Sequence, residues 1–240
     1  MSVDSRRRAL VTGGGSGIGL AIARKLAETC EVSVLGRDRA KLEATGFASI
    51  VADVSDPALA IDDKFDIVVN NAGIVRSAPF LKQSDADWSD LWRTNVMGAV
   101  HIARAVLPFM RERGWGRIVN VASTASLKGY GYVSAYVASK HALLGLTRVI
   151  AAELAPRGAT ANAVVPGWVD TQMVRDEIAA FAERRAISHA DAARRLLREQ
   201  PIGRLLQPDE VEGMVAFLCT DAAGAVTGQA IHIDGGSFQA

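Results

Sequence analysis

Two spacings in this chain could do chemistry. Tyr136-x-x-x-Lys140 puts a phenol and an ammonium four residues apart, on one helical face. A lysine beside a phenol stabilises the phenolate and lowers its pKa from ~10, which yields an acid/base group near neutral pH. Taken alone the pattern is common by chance, and an exposed pair on a solvated face is the simpler reading. The second spacing is Thr12-Gly13-Gly14-Gly15-Ser16-Gly17-Ile18-Gly19. Glycines there permit a tight turn and close approach of the backbone to a pyrophosphate, and amides at the start of the next helix bind its charge. The spacing Gly13-x-x-x-Gly17-x-Gly19 departs from the usual GxGxxG. Gly13, Gly15, Ser16, Gly17, Ile18 and Gly19 are the candidate phosphate-binding residues.

The residue that selects between dinucleotides lies ~20 residues further on, after the second strand. Arg37 follows Gly36 there, and its charge and forked donors suit a 2′-phosphate. Asp38 comes next. It could be a ribose ligand if the strand ends later, or the N-cap of the following helix. Arg37 therefore favours NADP(H), with NAD(H) possible through Asp38.

These groups need elements to hold them. Ala9 to Thr12, Val32 to Leu35, Ile67 to Val69, Ile118 to Val121 and Ala163 to Val165 are short, continuous apolar runs, as strands of a sheet covered on both faces require. Helical patterns alternate with them. Ile22, Ala23 and Leu26 share a face after the glycine turn. Val96, Ala99, Val100, Ala103, Leu107 and Met110 form a stripe, which Pro108 is expected to kink or end. Leu143, Leu144, Thr147, Ile150, Ala151 and Leu154 form another. The alternation predicts an α/β fold: a single domain over residues 1–240, a Rossmann-type doubly wound parallel sheet with helices on both faces. Between Asp53 and Asp66 only a two-turn crossover helix fits, around Ala58 to Asp62. Residues 171–200 carry no strand pattern and read as one or two helices forming a lid over the site.

Composition narrows the class. The chain has 240 residues, 49% apolar and 22% charged, with a net charge of +1, so no charge excess points to nucleic acid or a membrane surface. Cys30 and Cys219 make no disulfide framework, and His101, His141, His189 and His232 have no metal spacing, so no metal is expected. Met1 to Arg8 contains no apolar signal core, and no apolar run reaches the ~18–20 residues that span a bilayer. A cytoplasmic protein with no membrane partner is expected.

The glycine turn, Asn70-Asn71-Ala72-Gly73, Asn95, Ser123, Tyr136, Lys140 and Pro166-Gly167 occur in this order. On these motifs the chain resembles the short-chain dehydrogenase/reductase family from Ala9 to Gly236, with Ile233-Asp234-Gly235-Gly236 as the last strand and turn. The resemblance implies hydride transfer between nicotinamide and a carbonyl or secondary alcohol. Tyr136 would exchange a proton with the substrate oxygen, and Ser123, thirteen residues earlier, would hydrogen-bond that oxygen. Lys140 would bind the nicotinamide ribose and depress the pKa of Tyr136. Asn95 would position a water beside Lys140. Asn71, Ala72 and Gly73 would line the adenosine ribose, Asp53 and Val54 the adenine, and Pro166, Gly167, Val169 and Thr171 the nicotinamide carboxamide. It also implies a homotetramer or homodimer packed through the two striped helices.

The substrate is less legible. Val75, Arg76, Thr124, Ala125, Tyr130, Tyr132, Val133, Trp168, Gln172 and Met173 are the expected pocket walls, and most suit a hydrophobic ketone. Arg76 could recognise an anion or be a solvated loop residue. Tyr136 to Thr147 and Pro166 to Pro201 resemble 3-hydroxybutyrate dehydrogenases, but Val75, Ala125 and Val133 stand where that group grips a carboxylate. Ser123-Thr124 and Pro201-Ile202-Gly203-Arg204 resemble polyketide and acyl-carrier ketoreductases. The expected function is an NADP(H)-dependent reductase of a hydrophobic ketone. An NAD(H)-dependent alcohol or hydroxyacid dehydrogenase is the alternative, and a nucleotide-binding sensor without turnover is a third reading, disfavoured by the intact Ser123, Tyr136, Lys140 and Asn95.

Overall fold

The computed structural model describes residues 6–239; Met1 to Ser5, part of the segment read for a secretory signal, lie outside the described residues. The strands are β1 (Arg8–Thr12), β2 (Glu31–Gly36), β3 (Ala48–Val51), β4 (Ile67–Asn70), β5 (Gly116–Val121), β6 (Ala159–Pro166) and β7 (Ala230–Ile233). They form one parallel sheet in the order β3-β2-β1-β4-β5-β6-β7. The helices are α1 (Gly17–Ala27), α2 (Arg39–Glu43), α3 (Asp85–Trp92), α4 (Gly98–Arg113), α5 (Ser134–Leu154), α6 (Gln172–Arg185), α7 (His189–Leu197) and α8 (Pro208–Leu218). The strand order reverses beside β1, which opens a crevice at the carboxyl ends of β1 and β4.

Successive side chains of a strand face opposite ways. Ala9, Val11, Ile67, Val69 and Val119 therefore pack with Ile22 and Leu26 of α1 and Val211 and Val215 of α8. Leu10, Val68, Ile118 and Ala161 pack on the other face with Ile102 and Met110 of α4 and Ile150 and Leu154 of α5. Each such Leu or Ile contributes roughly 1.5–3 kcal/mol by leaving water. Burial on both faces is why five strands read as continuous apolar runs. β3 was not anticipated, because its residues lie mostly exposed at the sheet edge and no apolar run marks them.

Three expectations are corrected. No helix forms between Asp53 and Asp66; the carboxylates of Asp53, Asp56 and Asp62 instead accept from the backbone N–H of Ser55, Ala58 and Lys64. These local turns compete with helix, and Pro57 lies among them. Pro108 does not end α4, which continues to Arg113 and stops at left-handed Gly114. Val106 and Met110 on either side of it are fully buried, and that burial outweighs the one hydrogen bond a proline removes. The α4 stripe is buried as expected at Val96, Ala99, Ala103 and Met110, but Ile102 and Val106 join it while Val100 and Leu107 are only half-buried. A π-helical turn over Arg93–Met97 precedes α4.

The α5 stripe is buried as expected, from Leu143 to Leu154. One polar group sits within it. Thr147 Oγ1 accepts from Asn120 Nδ2 at 2.8 Å, and Asn120 Oδ1 accepts from Asn70 Nδ2 at 2.9 Å. This chain crosses from α5 through β5 to β4 inside the core. No described helix is long and apolar enough to cross a membrane. Thr147→Val keeps the volume and orphans the Asn120 amide, so urea denaturation should show a loss of about 1–3 kcal/mol; an unchanged midpoint would show that this chain does not tie α5 to the sheet.

Candidate active site

The expected functional residues converge at the carboxyl edge of the sheet. The glycine turn leaves β1, Asn71 leaves β4, Ser123 follows β5 and Gly167 follows β6. Thr12 Oγ1 accepts from the backbone N–H of Asn71 and Ala72, both at 3.0 Å. Asn71 Nδ2 in turn donates to the carbonyls of Thr12 and Gly13, at 3.0 and 3.3 Å. The glycine turn is thereby fastened to the β4 loop. A Cβ on Gly19 would lie 2.4 Å from both the Gly13 carbonyl oxygen and Asn71 Nδ2, so only glycine fits there.

The first turn of α1 presents an open anion cradle. Its N-cap Ser16 makes no side-chain capping bond, and no acidic residue stands in its first turn. The orphan amides and the positive end of the helix dipole suit a pyrophosphate. The donor set thus fits a dinucleotide on chemical grounds.

Tyr136 and Lys140 lie in the first two turns of α5. Val133 provides no side-chain cap for this helix; instead Gln83 Oε1, from another loop, accepts from Ser134 Oγ at 2.6 Å and Ala135 N at 3.2 Å. Lys140 Nζ donates to the Val121 carbonyl at 2.8 Å, and lies 5.7 Å from the Tyr136 ring centre. Ser123 Oγ accepts from Ala125 N at 3.1 Å. Asn95 sits in the π-helical turn, 2% exposed. Its Oδ1 accepts from Ile74 N at 2.8 Å, and its Nδ2 donates to the Ile74 carbonyl and Ser139 Oγ, both at 3.0 Å. Both amide hydrogens are used, and one acceptor site on Oδ1 is left. A Cβ on Gly73 would lie 3.3 Å from that Oδ1 and 3.7 Å from Lys140 Nζ, so the three residues are neighbours.

The electrostatics correct the expectation for Tyr136. Its phenol is pushed up rather than down: burial dominates, the Glu177 carboxylate acts in the same direction, and only Ser123 favours the phenolate. Burial also pushes Lys140 down to about 8. In a poorly solvated site each group disfavours its own charge, and the spacing of four cannot register desolvation.

Two adjoining cavities meet at the same side chains. One, of about 110 Å³, is lined by Ile18, Asn71, Gly73, Lys140, Pro166, Gly167, Val169 and Thr171, all expected cofactor contacts. The other, of about 310 Å³, is bounded by Val75, Thr124, Ala125, Tyr130, Tyr132, Val133, Trp168 and Met173, as expected of the pocket wall. Ser123 and Tyr136 line both. Arg76 and Gln172 do not line the larger cavity; Arg76 faces Asp87 at 4.0 Å and Gln172 bonds Asp176 at 2.7 Å. Residues 171–200 form α6 and α7, which contribute Val174, Glu177, Phe181, Arg184, Leu196 and, just beyond, Glu199.

At the other end of the crevice, Arg37 is exposed and 3.7 Å from Asp53. Asp38 caps α2, accepting from Lys41 N at 3.1 Å. Gly15 lies against the Lys41 side chain. Val54 is buried with its side chain against Gly98.

Sequence reasoning missed Gln83, Gln200, Ser77 and Glu177. Gln200 is fully buried; its Oε1 accepts from Trp168 N at 2.7 Å and its Nε2 donates to the Trp168 carbonyl at 3.3 Å, which fixes the loop after β6. Isolated glutamines in segments without periodicity leave no signal.

A family model described as enoyl-(acyl carrier protein) reductase matches residues 13–237. The chain is 39% identical to D-beta-hydroxybutyrate dehydrogenase of Cupriavidus necator, covering 96% of this chain and 97% of that protein. It is 37% identical to acetoacetyl-CoA reductase of Shinella zoogloeoides, covering 97% and 98%. Its fold matches a variant of actinorhodin polyketide ketoreductase solved with NADPH, at a TM-score of 0.91 and 38% identity over 98% of this chain and 97% of that one.

With the cavities empty of ligand, Tyr136 should titrate above ~10, and Ser123→Ala should raise it further, because the group favouring the phenolate is removed. Carbon-13 resonances of ring-labelled tyrosine read this directly; a Tyr136 signal that titrates below 10 would overturn the assignment.

Proposed function

The chain belongs to the short-chain dehydrogenase/reductase family, an oxidoreductase acting on CH–OH donors with a nicotinamide cofactor, and from that premise we propose that it is an NADP(H)-dependent reductase of hydrophobic ketones. The observation that carries the reading is the meeting of the two cavities at Ser123 and Tyr136. A carbonyl in the larger cavity reaches both hydroxyls at the place where the smaller cleft adjoins it.

The glycine turn and the first turn of α1 would hold the pyrophosphate. Asp53, Val54, Asn71, Ala72 and Gly73 would hold the adenosine, Lys140 and Tyr136 the nicotinamide ribose, and Pro166, Gly167, Val169 and Thr171 the carboxamide. The bound dinucleotide supplies or accepts the hydride. Ser123 Oγ and Tyr136 Oη donate to the substrate oxygen and stabilise the negative charge that develops on it. Tyr136 then gives that oxygen its proton. A phenol held above its ordinary pKa stays protonated at neutral pH, which suits the reducing direction. The free acceptor site on Asn95 Oδ1, beside Lys140, can hold a water that returns protons from solvent. Asp38 is engaged as a helix cap, while Arg37 is exposed with Lys41 nearby, and this supports a 2′-phosphate over a bare ribose. α6 and α7 serve as the cover of the substrate cavity.

Tyr136→Phe should keep NADPH binding, read by nucleotide fluorescence, and lower ketone reduction by about 10²–10⁴-fold; near-normal turnover would sink the mechanism. Arg37→Asp should move the NADPH/NADH preference at least about tenfold toward NADH. An unchanged ratio would remove Arg37 from the reading.

A further inference from the structure

The larger cavity is apolar over most of its wall, through Val75, Trp168, Met173, Val174, Phe181 and Leu196. Among the polar side chains on that wall outside the catalytic pair, Thr124 and Tyr130 bond each other at 3.0 Å, while Ser77 and Glu177 take no part in any step described above. Ser77 Oγ is fully buried, and its hydroxyl favours the charged form of the Glu177 carboxylate beside it. Glu177, half-buried on α6, faces the same cavity and makes no ion pair among the described residues. Of the other charged groups on this wall, Glu199 pairs with Lys128 at 2.8 Å, and the Arg184 guanidinium lies over the Tyr132 ring at 5.4 Å, near enough to favour the charged form of Glu177. A carboxylate in poor solvent that is held by one hydroxyl keeps acceptor sites that are costly to leave unmatched. It offers those sites to a ligand that brings a donor, and a negative charge that repels an anion.

We propose that Glu177, with Ser77 beside it, is the specificity-determining acceptor of the substrate cavity, and that the substrate is a neutral ketone carrying a hydroxyl group on an otherwise apolar skeleton. The proposal rests on the ketone-reductase reading and deepens it. The cavity's volume of about 310 Å³ lies in the range of sites for small organic molecules. The hydroxyl donates to the Glu177 carboxylate, and Ser77 donates to the same carboxylate and holds it in place. Ketones bearing a free carboxylate meet Glu177 with like charge and are rejected.

The test uses 1-tetralone with its ring-hydroxylated and ring-carboxylated derivatives, substituted at each free aromatic position, and NADPH. The readout is the ratio of kcat/KM for a derivative to kcat/KM for 1-tetralone on the same enzyme, in which the fraction of active protein cancels. The wild type should favour at least one hydroxylated ketone by about tenfold, chiefly through KM, and disfavour every carboxylated one. Glu177→Met should bring the hydroxylated ratio to within about twofold of unity, and Ser77→Ala should lower it part of the way. Glu177→Gln should raise the carboxylated ratio by about tenfold by removing the repulsion. Equal ratios in the wild type and Glu177→Met, with 1-tetralone still reduced, would overturn the role of Glu177 and leave the ketone-reductase reading standing. Failure of the wild type to reduce any member of the series would overturn that reading and this inference with it.

Discussion

In an all-parallel sheet every strand releases the chain at the same edge, and the chemistry of this protein depends on that constraint. The glycine turn, Asn71, Ser123 and Gly167 come from four different strands, yet they meet because β1, β4, β5 and β6 are neighbours with a common direction. Helix α5 then needs only to cross the sheet with its first turns at that edge to bring Tyr136 and Lys140 to Ser123. Its apolar stripe supplies the adhesion, and the buried Thr147–Asn120–Asn70 chain gives the position a polar, directional component that apolar packing lacks.

The loops at that edge are held by side-chain amides. Each amide carries a donor and an acceptor, so one residue can satisfy both backbone groups of a loop position. Asn95 does so for Ile74 and Gln200 for Trp168, while Gln83 joins the start of α5 to the loop at Arg76. Asn71 holds the glycine turn by donation alone, from Nδ2 to the carbonyls of Thr12 and Gly13. These clamps reach across loops, and together they surround the junction of the two cavities with fixed backbone.

Low solvation gives the site its titration behaviour. Lys140 and Tyr136 are both shifted toward their uncharged forms, for the same reason. Glu177 follows the same rule: burial raises its carboxyl, and Ser77 and Arg184 work against that rise. A site of this kind binds neutral, apolar molecules readily and makes each polar contact selective, because an unmatched polar group there has no water to turn to.

Much was legible from the chain alone. Residues that repeat with the period of a helix or a buried strand carry their partner's location in their spacing, so five strands, the α5 stripe and the alternating architecture could be read directly. The ordered motifs also placed Ser123, Tyr136, Lys140, Asn71 and Gly167 at one site. Local spacing misled where non-local forces entered. Tertiary burial carried α4 past Pro108, whereas the expected crossover helix was displaced by aspartate turns that are themselves local. Desolvation reversed the expected shift of Tyr136, since spacing conveys proximity of charge but not absence of water. Gln83, Gln200, Ser77 and Glu177 acquire meaning only through groups distant in sequence. The chain by itself determined the architecture and the candidate site residues, because periodicity and motif order are written along the sequence. Only the tertiary structure decided how Asn95 is engaged and which polar groups face the larger cavity, because each rests on contacts made across the fold.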